Sequence, residues 1–216
     1  MTPISRPQYV DILVGRMLHL RERVDVRWLI VFDKSKESTL KPYFSANAFD
    51  WITVVGFHTE GSVSGNMERN AALDYLATNA DLNQSEGFLF FLDDDNAPPS
   101  NLYENMGSLD SAITYFGDQL SCDKSVRLHT EPDMMTLFRA GKEVDLVNRV
   151  DTATFLISLS MWRSVEKSTP LRWTNVGVAD GLFFTAFVRK DFFSNRQFAR
   201  LENRSIQFFY NALKCP

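Results

Sequence analysis

The chain has 216 residues, of which 44% are hydrophobic and 23% are charged, and its formal net charge is -4. These values are typical of an ordinary globular domain and exclude intrinsic disorder, collagen and coiled coil. The mild acidity argues against a nucleic-acid binder that relies on phosphate contacts, and the length predicts a single domain.

The first half alternates short apolar runs with helical stretches. Residues 9–23 and 66–79 carry apolar side chains at helical spacing. Continuous apolar runs at residues 27–32, 51–55 and 88–92 predict buried strands. Buried strands interleaved with helices are typical of a parallel sheet covered on both faces, so we expect an α/β fold.

The second half is less regular. Its pattern predicts helices at residues 100–116 and 181–189, short strands at 126–129 and 154–157, and a helical end within 192–213. No internal repeat or Pro/Gly-rich linker interrupts the chain, so the sequence indicates no domain boundary.

Cysteine content and hydropathy bear on the compartment. Cys122 and Cys215 form no CxxC pair, which argues against a disulfide framework or a zinc ribbon and favours a reducing compartment. No apolar run approaches the roughly 18–20 residues of a membrane span, and the first residues lack the apolar stretch of a signal peptide. We therefore expect a cytoplasmic protein.

An acidic triplet follows the third apolar run directly. Asp93, Asp94 and Asp95 would repel one another at the end of a buried strand, where ligands bind in open α/β sheets. A hard cation such as Mg²⁺ or Mn²⁺ relieves that repulsion and stabilises a diphosphate leaving group. The alternative is a solvated acidic turn before Pro98, followed by a helix capped by Ser100.

Other metal and phosphate motifs fit poorly. An EF-hand loop that began at Asp93 would place Pro98 at its essential glycine position. A phosphatase-type aspartyl nucleophile normally follows the first strand of its sheet. The Gly61 to Gly65 loop lacks the lysine of a Walker A motif, and GxGxxG is absent.

Four ordered segments of the first half form a recognisable set. They are a Thr-Pro-x-x-Arg opening at residues 2–6, an apolar strand that ends in Asp33, a Gly-x-x-x-Arg-Asn-x-Ala-Leu stretch from Gly65 to Leu73, and the strand that ends in the acidic triplet. Each resembles the corresponding segment of GT-A glycosyltransferases of the glucuronyltransferase-like type, over residues 2–105.

The resemblance implies a GT-A (Rossmann-like) nucleotide-diphospho-sugar transferase fold, with a mostly parallel central sheet flanked by helices. It implies one domain over residues 1–216, with a nucleotide-sugar and metal half at about 1–105 and an acceptor half at about 106–216. The compact length resembles viral members that build capsid glycans.

The donor side follows from the same resemblance. It implies a UDP-sugar donor and a bound Mn²⁺ or Mg²⁺. Asp95 is the implied metal ligand, and Asp93 is a second candidate ligand. Arg69 would hold uracil or phosphate, since a planar cation suits both, or else form an ion pair. The residues implied to contact the nucleotide-sugar are Thr2, Pro3, Ser5, Arg6, Asp33, Arg69, Asn70, Asp93 and Asp94.

The catalytic base must come from the second half. Asp180 resembles the family's acid at the start of an apolar helix, and Asp151 is the second candidate. A helix start stabilises a carboxylate, so Asp180 also fits a purely structural N-cap.

A few other residues carry weaker signals. Trp162 and Trp173 suit either a sugar platform or the core, and the core is the commoner role. Arg172 and Asn175 are candidate acceptor or phosphate contacts, and His129 is a candidate additional metal ligand.

The expected function is metal-dependent transfer, with inversion, of a hexose or deoxyhexose such as glucose or rhamnose from a UDP-sugar to a hydroxyl of a glycan or glycoprotein. No nucleic-acid partner is expected. Three alternatives stay open: a retaining glycosyltransferase, a sugar-1-phosphate nucleotidyltransferase, and a non-catalytic sugar-nucleotide-binding domain. The second needs a glycine-rich N-terminal loop, and residues 2–6 contain no glycine.

Overall fold

The computed structural model describes a defined part of the chain. The described residues are 1–40, 42, 49–58, 61–84, 86–96, 113–116, 118–120, 126–128, 155–176, 183, 198–201 and 208–209. For residues 83, 84 and 155 and for the strands at 113–128 and 198–209, the description covers the backbone only.

A parallel sheet forms the first half of the structure. It contains β1 (Thr2–Pro3), β2 (Trp28–Asp33) and β3 (Ile52–Phe57), in the order β1-β2-β3. Thr2 aligns with Ile30, and β2 pairs with β3 along its whole length. The sequence predicted β2 and β3, whereas the two-residue β1 has no apolar run to mark it.

A second sheet continues from the first. Its strands are β4 (Phe88–Phe90), β5 (Ile113–Phe116), β8 (Phe155–Ser158) and β9 (Phe198–Leu201). Their order is β4-β8-β5-β9, with β8 antiparallel to both of its neighbours and β9 parallel to β5.

Met1 joins the two sheets. Its amine donates to the Phe90 carbonyl at 2.7 Å, and its carbonyl accepts from the Leu92 amide at 2.9 Å. Burial, and then the charge of Arg69, lower the pKa of the Met1 amine to about 5. These bonds set the 90–92 segment beside β1, so the residues that follow β1 and β4 meet at one edge.

A third, smaller sheet contains β6 (Asp118–Leu120), β7 (Val126–Leu128) and β10 (Phe208–Phe209), in the order β10-β6-β7. β6 and β7 are antiparallel, and β10 is parallel to β6. The predicted strand at 126–129 is confirmed over residues 126–128.

The helices in the described part of the chain include α1 (Val10–Arg21), α2 (Asn66–Thr78), α3 (Ala80–Gln84) and α4 (Leu159–Ser168). A short 3-10 turn at Pro7–Tyr9 leads into α1. The Ser158 hydroxyl caps α4 by accepting from the Met161 amide at 3.2 Å. Among the described residues, no helix is long and apolar enough to cross a membrane.

β2 has helices on both faces because its side chains alternate across the sheet. One face packs against α1 and the other packs against α2. The first cluster includes Leu13, Met17, Trp28, Ile30 and Phe32, and the second includes Leu29, Val31 and Ala72. This arrangement confirms the prediction of a sheet covered on both sides.

The predictions for the second half fare less well. Residues 113–116 form a strand, although the pattern predicted a helix through residue 116. Residues 208–209 are also a strand, near the end of the 192–213 segment where a helix was predicted, and the strand at 198–201 was not predicted. The strand at 88–92 was expected in the parallel sheet, yet β4 pairs antiparallel with β8. Pairing with distant segments decides all these cases, and a local apolar pattern carries no record of it.

Candidate functional site

The acidic triplet lies where the segments after β1 and β4 meet. The backbone turns there, since the Asn96 amide donates to the Asp93 carbonyl at 3.1 Å. Asp94, Asp95 and Asn96 are all buried. Buried carboxylates need hydrogen bonds or countercharges, so their partners define the site.

Asp94 is bound by the segment that follows β1. Its Oδ2 accepts from the Ser5 amide at 2.6 Å, from the Arg6 amide at 2.7 Å and from the Ser5 hydroxyl at 2.9 Å. Its Oδ1 lies 3.1 Å from Arg6 Nη2. Asp94 therefore fixes Ser5 and Arg6 beside the triplet, although they lie 89 and 88 residues away in the chain.

Arg6 spans two carboxylates. Besides Asp94, its guanidinium contacts Asp95 through Nη1. Burial opposes the charged form, but the hydrogen bond to Asp95 and the charges of the triplet outweigh it and raise the pKa of Arg6. Arg6 stays cationic and lies between the two acids.

Arg69 binds the first acid from the opposite side. Its Nη2 contacts Asp93, and its Nη1 donates to the Ser64 carbonyl at 2.7 Å and to Asn66 Oδ1 at 3.0 Å. The guanidinium also lies over the Trp173 ring, 5.7 Å from its centroid. Of the two roles raised for Arg69, the structure shows the ion pair, and its partner is Asp93.

Gly65 brings α2 close to β1. Its φ is +75°, a conformation that favours glycine. A Cβ at this position would lie 2.9 Å from Pro3 Cγ. The glycine of the Gly-x-x-x-Arg-Asn stretch is thus required both by its backbone angle and by the close approach of Pro3.

Thr2 and Asp33 also lie beside this edge. The buried Thr2 hydroxyl accepts from Trp28 Nε1 at 2.9 Å. Asp33 ends β2 and accepts from the Ser35 amide at 2.8 Å, which starts a 3-10 turn. In that turn Lys36 Nζ donates to the Ser5 carbonyl at 3.1 Å. No sequence motif distinguishes Lys36, so its place beside Ser5 could not be predicted.

Asn70 binds the segment at residues 172–176. It accepts from the Trp173 amide at 2.7 Å and donates to the Trp173 carbonyl at 3.0 Å. Asn66 donates to the Val176 carbonyl at 3.0 Å. Asn175 in turn binds the Val63 amide and the Gly61 carbonyl. We call these contacts between residues 61–70 and 173–176 the asparagine clasp.

The tryptophans belong to the core. Trp173 is buried, stacks on Phe183 and meets Phe91 edge-on at 4.5 Å between ring centroids. Trp162 is buried in the same cluster. Of their two proposed roles, core packing is the one observed.

Arg172 forms a surface network. It pairs with Glu166 at 2.6 Å and with Asp74 at 2.7 Å. The hydrogen bond to Glu166 is the main cause that raises the pKa of Arg172. These contacts join α4 to α2.

The carboxylate oxygens of the triplet suit a metal site whose remaining ligands come from substrate phosphates. Within the described residues, no three His, Cys, Asp or Glu side chains converge as a cation cage. Mg²⁺-type sites in nucleotide enzymes often use one or two carboxylates and take their other oxygens from substrate phosphates. Asp95, which is buried and paired with a side-chain cation, suits that arrangement.

Several predicted residues lie outside the described part of the chain. They are the base candidates Asp180 and Asp151, the possible ligand His129, and the two cysteines. The helix predicted at 181–189 also lies outside it, apart from Phe183, whose ring packs in the core.

Comparison with known proteins identifies the fold. No protein-family model matches the chain, and no curated protein matches it. Residues 1–349 of TarS from S. aureus, solved in complex with UDP, are similar in structure, with a TM-score of 0.63 and 16% identity. The match covers 97% of this chain and 59% of the TarS fragment, so the chain spans less than two thirds of that structure.

Two further structures are less similar. The galactosyltransferase LgtC, solved with donor and acceptor sugar analogs, has a TM-score of 0.45 at 13% identity, and the match covers 84% of this chain and 69% of that one. A putative glucose-1-phosphate thymidylyltransferase from Bacillus anthracis has a TM-score of 0.47 at 8% identity, with 94% and 79% covered. The likeness to TarS carries the fold assignment.

The chain has the GT-A fold of nucleotide-sugar transferases. Its parallel strands and the edge at which the acidic triplet lies agree with the fold that the sequence resemblance implied.

Proposed function

We propose that the chain is a metal-dependent glycosyltransferase that moves a sugar from a UDP-sugar to a hydroxyl group of a glycan, with inversion. The observation that carries the proposal is the acidic triplet at the edge of a GT-A sheet, with two arginines bound to it. A diphosphate requires cationic partners, and a transferase must offset the charge of the leaving UDP.

The described residues divide the binding work. Asp95 would hold Mn²⁺ or Mg²⁺, which offsets charge on the diphosphate when bound. Asp94 keeps Ser5 and Arg6 beside the metal site through its hydrogen bonds. Asp33 and Lys36 lie at the end of β2, next to this segment, and are our candidates for the nucleoside side.

The chemical step needs a base on the acceptor. We assign Asp180 to this role, with Asp151 as the second candidate, on the strength of the sequence resemblance. The carboxylate takes the proton of the acceptor hydroxyl while the hydroxyl oxygen bonds to the anomeric carbon. The bond between the anomeric carbon and the UDP oxygen breaks, and UDP leaves. We propose a hexose or deoxyhexose as the transferred sugar and a glycan or glycoprotein as the acceptor.

Calorimetry with UDP and several UDP-sugars, with and without Mn²⁺, tests the donor half. We expect UDP binding that depends on the metal and that falls at least about a hundredfold in Asp95→Ala, since even indirect partners of a metal contribute about 10–100-fold. The UDP-sugar that binds most tightly would identify the donor class.

Asp25→Asn is the matched control, because Asp25 is exposed and lies before the start of β2, at the opposite edge of the sheet. It should bind UDP as the wild type does. Undiminished binding by Asp95→Ala would refute the metal role. If the folded wild type bound no UDP compound, the UDP assignment would be wrong, and dTDP- and GDP-sugars would be tested next.

A further inference from the structure

The two arginines at the acidic triplet are held very differently. The Arg69 side chain is 2% exposed and contacts Asp93, Asn66, the Ser64 carbonyl and the Trp173 ring. The Arg6 side chain is 32% exposed. Its guanidinium contacts Asp94 and Asp95, and its Nε lies 3.2 Å from the Ser5 hydroxyl.

The main chain of Arg6 is anchored independently of its side chain. The Arg6 and Ser5 amides both donate to Asp94 Oδ2, whereas the guanidinium reaches Oδ1 and Asp95. Rotation of the side chain would break the guanidinium contacts and leave the amide bonds in place. Arg6 therefore has a main chain that is held in place and a partly exposed cationic side chain that can rotate.

The Arg6 guanidinium contacts Asp95, the carboxylate that the proposed function assigns to the metal. Asp95 is 5% exposed, and a buried carboxylate needs a nearby cation or donor to stay ionised. A guanidinium and a divalent cation both meet this need, and their charges repel each other at one carboxylate. Arg6 and the metal should therefore compete for Asp95.

We propose that Arg6 is an exchangeable counterion. Its guanidinium neutralises Asp95 while the site is empty, and it transfers to a phosphate group of the nucleotide when cation and nucleotide bind together. The planar fork of an arginine suits a carboxylate pair and a phosphate equally well. This inference rests on the proposed function and adds a coupling between metal and nucleotide.

The exchange predicts opposite effects of one substitution. In Arg6→Gln the competitor is gone, so Mn²⁺ without nucleotide should bind about tenfold more tightly than to the wild type. UDP at saturating Mn²⁺ should bind about tenfold more weakly, because the phosphate loses its guanidinium partner. A residue that only stabilised the fold would not strengthen metal binding.

Free Mn²⁺ measured by electron paramagnetic resonance gives the metal affinity directly, and calorimetry gives the UDP affinity. Arg172→Gln is the matched control, because it removes the same charge from a surface network. It should change neither affinity by more than about twofold, since exposed charges are screened. Arg6→Lys keeps the charge but loses the planar guanidinium. Its Mn²⁺ and UDP affinities should lie between those of the wild type and Arg6→Gln.

The outcomes separate this inference from the proposed function. Unchanged or weaker Mn²⁺ binding by Arg6→Gln, alongside metal-dependent UDP binding by the wild type, would overturn the exchange alone. Absence of UDP binding by the wild type would overturn the proposed function. Should Arg6→Gln not fold, the Nε–H resonance of Arg6 in the wild type decides: it must shift on addition of Mg²⁺ and UDP, and a constant resonance refutes the exchange.

Discussion

An arginine binds aspartates on each side of the acidic triplet, but the two arginines differ in their burial. On the α2 side, Arg69 and Asp93 lie against Trp173 and the start of the helix, and the arginine is almost wholly buried. On the β1 side, Arg6 lies against Asp94 and Asp95 with a third of its side chain exposed. Burial therefore separates a structural arginine from one that ligands can displace.

Solvent access gives the physical reason. A buried ion pair that loses one partner leaves a charge that water cannot reach, so neither partner can leave cheaply. A partly exposed arginine is solvated as soon as it rotates away, so the cost of its departure is smaller. The comparison predicts that divalent cations compensate for the loss of Arg6 but not for the loss of Arg69.

Substitution of Arg69 should have the largest effect on stability. Arg69→Gln removes a cationic partner of Asp93 and a hydrogen-bond donor to two acceptors near the start of α2, the Ser64 carbonyl and Asn66. We expect a loss of about 3 kcal/mol in the free energy of unfolding, at the lower end for a broken buried pair because Asp93 retains 25% exposure. Urea denaturation measures this loss.

The control is Arg16→Gln, which changes an exposed arginine in the middle of α1 and should cost less than about 0.5 kcal/mol. The same titrations are repeated with Mn²⁺ present. Mn²⁺ should restore the stability of Arg6→Gln, and should raise that of Arg69→Gln no more than it raises that of the wild type. Equal rescue of both variants would contradict the distinction between the two arginines.

Substitution of Asn70 should have a moderate effect on stability. Asn70→Ala leaves the amide and the carbonyl of Trp173 without their partner in the asparagine clasp, at an expected cost of about 2 kcal/mol. Asn70→Asp keeps the acceptor for the Trp173 amide and should lose less. Thermal or urea denaturation checks both values.

The same variants test the nucleotide contact that the sequence resemblance implied for Asn70. If the clasp accounts for this residue, UDP affinity in folded Asn70→Ala stays within about threefold of the wild type. A tenfold loss of UDP affinity without a loss of stability would support the nucleotide contact of Asn70.

The local pattern of apolar residues was sufficient to predict β2, β3 and the helices α1 and α2. The runs around Trp28 and Ile52 are continuous and apolar because both faces of the sheet are covered, and this pattern predicts buried strands. The strands at Ile113–Phe116 and Phe198–Leu201 were missed, since each is defined by a partner many residues away. Strand propensity depends on such partners more than helix propensity does.

The sequence singled out residues that the structure brings together at the triplet, but not the contacts among them. The order of the four segments led to Arg6, Arg69 and the acidic triplet. No sequence pattern could show that Arg6 spans Asp94 and Asp95, because the contact joins residues 88 apart and depends on β1 lying beside the 90–92 segment. The double bond of Asn70 to Trp173 was hidden for the same reason.

Substitution of Arg172 should have the smallest effect on stability, although Arg172 pairs with two acids. It binds Asp74 and Glu166, but its side chain is 26% exposed and that of Asp74 is 64% exposed. Pairs in such a setting gain little over solvated charges. Arg172→Gln should therefore cost less than about 1 kcal/mol, and the difference from wild type should shrink at high salt. Urea denaturation at low and high ionic strength measures both quantities. A loss above about 2 kcal/mol that persists in salt would mean that Arg172, like the asparagine clasp, holds residues 172–176 against α2, and that exposure alone does not separate structural from dispensable arginines in this protein.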